Sequence, residues 1–135
     1  MLLVAGVALG ASAAPAFAHA ALESTVPVQG ALLEESPPLI DLRFSEPISV
    51  SAESVRIIAA SGETVKTDPP TGVPGSPGIM RQRVPVLDNG TYVVTWRIVS
   101  ADAHPVRGAF TFSVGEVSSG GAGTNIANDF LSGGT

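Results

Sequence analysis

The sequence predicts an all-β domain, a small antiparallel β-sandwich or barrel with Greek-key connections. Three observations carry this expectation. Several segments alternate apolar and polar residues with period two, strong turn signals separate them, and no segment sustains a helical period beyond a turn or two. Short strands punctuated by turns are the pattern of a two-sheet sandwich.

Leu39 to Phe44 sets Leu39, Asp41 and Arg43 on one side and Ile40, Leu42 and Phe44 on the other, as a half-buried strand requires. Val55 to Ala59 continues in this style, Ser61-Gly62-Glu63 signals a turn, and Thr64 to Lys66 returns as the second arm of a hairpin. From Asp68 to Gly78 the run DPPTGVPGSPG is too rich in Pro and Gly for regular structure and reads as a loop. Ile79 to Val86 resumes as a strand. Pro85 pushes its end toward a sheet edge, since proline cannot donate a ladder hydrogen bond. Asp88-Asn89-Gly90 is the sharpest turn signal, because Asn and Gly tolerate positive φ. The strand Thr91 to Val99 follows, with Tyr92, Val94, Trp96 and Ile98 on its core face. Ala109 to Val114 then closes the sandwich with Phe110 and Phe112 on one side. Trp96 reads as core, because a large aromatic chiefly supplies buried area.

The two ends differ in character from this body. Residues 2–14 are Leu, Val, Ala and Gly apart from one Ser, and Ala16-Phe17-Ala18 has the small residues of a cleavage site. Residues 1–18 therefore read as a signal peptide, short for a membrane span and interrupted by Pro15. No Lys or Arg precedes Arg43, so the positive start of such a leader is expected upstream of Met1. Cleavage makes His19 the first mature residue and leaves 117 of the 135 residues, a length that fits one domain over 19–115. Residues 116–135, a Gly, Ser and Asn tail, read as a flexible linker, either a tether to something further on or a frayed terminus.

Composition narrows the chemistry. Seven basic against 12 acidic residues give a net charge of −5, which disfavours nucleic acid and anionic membrane surfaces as partners. The absence of cysteine excludes disulfides, iron–sulfur clusters, thiolate zinc and blue-copper ligation. A histidine at a free N-terminus offers an α-amine and an imidazole to one ion, and the chain's other histidine stands in Asp102-Ala103-His104. Read as extended backbone, favoured before Pro105, that tripeptide points Asp102 and His104 the same way. Together with His19 they supply three nitrogens and one oxygen. A tetragonal nitrogen and oxygen set without sulfur suits Cu(II), which tops the divalent affinity order. Zn(II) accepts the same donors but prefers a tetrahedron.

The residues also match a family. His19-Ala20 with Leu22, Ser24, Pro27 and Gly30 forms the first block, and Leu42-x-Phe44-Ser45-Glu46 the second. Gly90-x-Tyr92-x-Val94-x-Trp96-Arg97 follows, and the last block runs from Val99-Ser100-Ala101-Asp102-Ala103-His104-Pro105-Val106 through Gly108, Phe110 and Phe112 to Val114. This set resembles the CopC copper-resistance family across nearly all of the mature domain. The resemblance implies a cupredoxin-like (Ig-like) sandwich, exported to the periplasm or the cell exterior, where it binds one Cu(II) ion through His19, Asp102 and His104. It implies a monomer that delivers copper to a CopD-like membrane transporter, and any link to the membrane would run through the tail. Glu46 matches a family carboxylate that lies near the metal in some members. Two readings stand for it, an axial or outer partner of the ion and an ordinary exposed glutamate at a strand end.

Two departures from the family pattern are informative. Met80 is the only methionine after residue 18, which argues against the methionine-rich Cu(I) site of some members. Ala103 replaces the glycine common in the Asp-Gly-His form of the motif, and an extended backbone does not call for glycine there. Two function classes follow. One is a non-catalytic Cu(II) carrier or buffer. The other is a histidine-chelate copper oxidase related to lytic polysaccharide monooxygenases. Asp102 discriminates between them, because a carboxylate in the equatorial plane fills the place where oxygen must bind, and the carrier is the reading adopted.

Overall fold

The structure is a computed structural model that describes residues 19–119 and 122–133 together with Gly6 and Gly10. The rest of the expected leader lies outside the described residues. Among the described residues nine strands and one helix follow in order: β1 (Leu22–Val26), β2 (Ala31–Leu33), β3 (Leu39–Phe44), β4 (Ile48–Ser49), β5 (Val55–Ala59), β6 (Thr71–Val73), β7 (Ser76–Arg83), β8 (Gly90–Ser100), β9 (Pro105–Val114) and α1 (Ala122–Leu131). One sheet has the order β1-β3-β7-β6. In the other, β2 and β8 flank β9, while β4 and β5 take successive stretches of the far edge of β8. All pairs are antiparallel except β2 with β9, so the antiparallel expectation holds with one parallel edge.

Period-two alternation builds the core. Ile40, Leu42 and Phe44 of β3 and Met80 of β7 face Tyr92, Val94, Trp96 and Ile98 of β8, with Phe110, Phe112 and Val114 of β9 beside them. Full burial of such side chains stabilises by about 1.5–3 kcal/mol each relative to leaving them exposed. Phe44 and Trp96 meet edge to face between the sheets, ring centroids 5.1 Å apart at 75°. That arrangement adds about 0.5–1.5 kcal/mol to their burial.

Strands β3 and β5 have the predicted bounds, and β8 extends the predicted strand by a residue at each end. The strand expected at Ile79 to Val86 ends at Arg83 as part of β7, and the one expected at Ala109 to Val114 starts four residues earlier, at Pro105. Three further segments differ in kind. The Pro- and Gly-rich run expected as loop contains β6 and the start of β7, a hairpin that turns at Pro74-Gly75 with Gly75 at φ 77°. The expected return arm at Thr64 to Lys66 reduces to one bridge, Ile58 to Thr64. The tail expected to be a flexible linker carries α1. Its Phe130 ring lies 5.9 Å from both Arg97 and Arg107, a cross-strand pair on the outer face of β8 and β9. Arg107 also donates to the Leu131 carbonyl at the helix C-terminus, at 3.3 Å. Like charges directly opposite destabilise a sheet, and the aromatic face and the carbonyl offset that cost here. A ten-residue helix of this composition owes its stability to such docking rather than to propensity.

Candidate metal centre

His19 precedes β1 and is held by its two neighbours. The Ala20 side chain is 1% exposed in the core, which anchors the chain one residue beyond His19. Ala21 then exchanges two hydrogen bonds with Ser45 at the end of β3. The Ala21 N–H donates to Ser45 Oγ at 2.9 Å, and the Ser45 N–H donates to the Ala21 carbonyl at 2.8 Å. Ser45 thus fixes where the chain enters the sandwich. Sequence reasoning did not single it out, although it lies in the Phe44-Ser45-Glu46 block.

Asp102 and His104 come from the turn between β8 and β9. The expectation of extended backbone here is corrected. The Ala103 N–H donates to the Ser100 carbonyl at 2.9 Å, the Ser100 N–H donates to the His104 carbonyl at 3.0 Å, and Ala103 has φ 66°. The long β8–β9 ladder forces a tight reversal between Ser100 and Pro105, and the left-handed residue at 103 completes it. Asp102 and His104 still converge, but through the turn. Ala103 therefore occupies a position where glycine carries no steric penalty and alanine does.

The three side chains form one group, with a nitrogen or oxygen ligand atom from each lying within 4.8 Å of the others. Asp102 Oδ2 lies 2.7 Å from His19 Nδ1 and 3.2 Å from His104 Nδ1. The two imidazoles meet edge to face at 4.5 Å. Both histidines are 62% exposed, whereas Asp102 is 15% exposed, so the carboxylate forms the floor of an open site. Its other oxygen, Oδ1, accepts hydrogen bonds from Ser100 Oγ and from the His104 N–H, the latter at 3.2 Å. The Ser100 hydroxyl is the chief reason the Asp102 carboxyl is held down at about 2. Partial burial opposes it, and the His104 N–H and the two nearby imidazoles assist. Glu46 is exposed and stands outside the three-residue group.

A site that joins the start of the domain to its last hairpin, on a sandwich with this topology, can be compared with known proteins. The CopC domain model matches residues 22–115, the whole of the sandwich. The chain belongs to the CopC family. It is 35% identical over 121 residues to copper resistance protein C of Escherichia coli, a match covering 84% of this chain and 94% of that one. To the copper transport protein CutJ of Bacillus subtilis it is 29% identical over 120 residues, covering 88% of this chain but only 22% of that protein. Among solved structures, CopC from Methylosinus trichosporium OB3b superposes with a TM-score of 0.67 at 28% identity, covering 76% of this chain and 98% of that one. PcoC, a methionine-rich copper resistance protein from Escherichia coli, gives 0.59 at 33% identity, covering 72% and 99%. This CopC domain differs from a methionine-rich one in its own residues. Met80 is fully buried on β7, facing the core and not a ligand.

Proposed function

We propose that this CopC-family domain is an exported, non-catalytic carrier of one Cu(II) ion, held by the α-amine and imidazole of His19, the carboxylate of Asp102 and the imidazole of His104. The observation that supports it best is the convergence of Asp102 Oδ2 with the Nδ1 atoms of both histidines, on segments far apart in sequence. Three nitrogens and one carboxylate oxygen, with no sulfur, match Cu(II) preferences. The carboxylate already lies against both imidazoles and would take up a coordination position of the ion, which favours a carrier over a site that leaves that position to oxygen. Glu46 has no direct part in this donor set. Residues 1–18 act as a leader removed after Ala18, which frees the amine. The domain works as a monomer in the periplasm or outside the cell and passes copper to a membrane transporter of the CopD type. Among the described residues no helix is long and apolar enough to cross a membrane. Intact mass of the secreted protein with and without Cu(II) tests the reading. A mature start at His19 and a gain of one copper per chain are expected, and a different start or a second tight ion overturns it.

A further inference from the structure

Asp102 has two oxygens, and an unrestrained carboxylate can rotate, chelate through both, or swing into solvent. In this fold one of its two oxygens, Oδ1, is tied by hydrogen bonds. Ser100, the last residue of β8, is 4% exposed and pairs with Ile48 of β4, so its backbone is fixed by the sheet. Its Oγ lies within hydrogen-bond reach of two acceptors, Asp102 Oδ1 and the His104 carbonyl at 3.1 Å. One hydroxyl has one proton, and the ionised carboxylate is the stronger acceptor. The His104 N–H holds the same Oδ1, so both restraints act on one oxygen and leave Oδ2 alone facing the imidazoles.

We propose that Ser100 is a positioning residue of the copper site. Its buried hydroxyl locks the Asp102 carboxylate so that a single oxygen, Oδ2, is presented as ligand, and it does this without touching the ion. The proposal rests on the Cu(II) reading above. It assigns the Val99-Ser100-Ala101-Asp102 segment a division of labour, the serine setting the angle of the carboxylate and the carboxylate supplying the donor. Partners that orient a ligand in this way commonly account for about ten- to hundredfold in metal affinity when removed.

The test is a cycle of four proteins, each in its mature form: wild type, Ser100→Ala, Asp102→Ala and the double variant. Cu(II) affinity is measured by competition with a chelator, and the electron paramagnetic resonance spectrum is recorded for each. Ser100→Ala is expected to weaken binding by about ten- to hundredfold and to change the copper hyperfine coupling. In the Asp102→Ala background the same serine change is expected to have no further effect, because the group it orients is gone. Ser100→Cys, close in shape but a weak donor, is expected to fall between wild type and Ser100→Ala, and it gives a second reading if the alanine variant folds poorly. An unchanged affinity and spectrum in Ser100→Ala, or an equal loss with and without Asp102, overturns the positioning role while leaving the copper reading intact. A wild-type protein that takes up no Cu(II) sinks the copper reading itself.

Discussion

Trp96 on β8 packs directly against Gly108 on β9: a Cβ placed at residue 108 would fall 2.4 Å from Trp96 Cζ2 and 2.6 Å from Cε2. The indole thus fills the space that any other residue at 108 would need, and it also meets Phe44 edge to face. This contact lies below the metal-bearing turn, in register with the ladder that leads to it.

Gly108→Ala is therefore expected to destabilise the domain, since the indole must shift within a packed core. Overpacking of this kind costs about 1–3 kcal/mol. Thermal unfolding measures the loss, and altered tryptophan emission would place it at Trp96. An unchanged midpoint would mean that the indole has room to move.

The left-handed backbone at Ala103 carries a second expectation. Its φ of 66° imposes a steric cost that glycine avoids, while glycine also loses more freedom on folding. The two terms oppose, and Ala103→Gly is expected to gain a net of about 0.5–1 kcal/mol with copper affinity little changed. Ala103→Val is expected to do the reverse and to loosen the site, because a β-branched side chain tolerates this conformation poorly. Denaturant titration of both variants checks the sign.

This turn also shows where the sequence was legible and where it was not. Strands β3 and β5 announce themselves because one face meets the core and the other is more exposed, so period two survives in the residues. β8, buried on both faces around Val93 and Thr95, is marked instead by its length, its β-branched and aromatic residues and the turn signal before it. β2 and β4 are too short, at three and two residues, for any period to register. β6 is hidden among prolines and glycines whose role is the turn that follows it. The candidate ligands are visible as residue types, since only two histidines exist and one stands beside a carboxylate. The turn that joins Asp102 to His104 is not visible, because Ala103 does not carry the glycine that would mark positive φ. Ser45 and Ser100 act through a few hydrogen bonds formed only on folding, and α1 forms against two arginines distant from it in the chain.

The Asp102 carboxyl, held at about 2 against an ordinary 3.8, separates two pH effects. Its folded value lies below its unfolded one, so the stability it contributes is fully present above about pH 4 and is lost as the pH falls through about 2. Between neutrality and pH 4 the carboxylate remains ionised. Loss of copper in that range must come from protons competing for the nitrogen donors. Asp102→Asn is therefore expected to lower affinity at every pH while leaving the slope of log affinity against pH unchanged between 7 and about 4. A shallower slope in the variant would show that the carboxylate takes up a proton as copper leaves.

The α-amine of His19 distinguishes a chelate from adventitious binding at an exposed histidine pair. Adding one residue ahead of His19 converts the amine into an amide, a far weaker donor at neutral pH. The imidazole, the Ala20 anchor and the two Ser45 hydrogen bonds remain, so folding is expected to be unaffected. Only the chelate ring is lost, and Cu(II) affinity is expected to fall by orders of magnitude with loss of one nitrogen from the paramagnetic spectrum. His104→Ala is expected to be comparably damaging, since it also removes one nitrogen donor, but it leaves the chelate in place and so should give a different spectrum. Chelator competition on the extended, His104→Ala and native proteins decides the matter. If the extended protein holds copper as tightly as the native one, the amine is not a ligand, and the two imidazoles with Asp102 must account for binding alone.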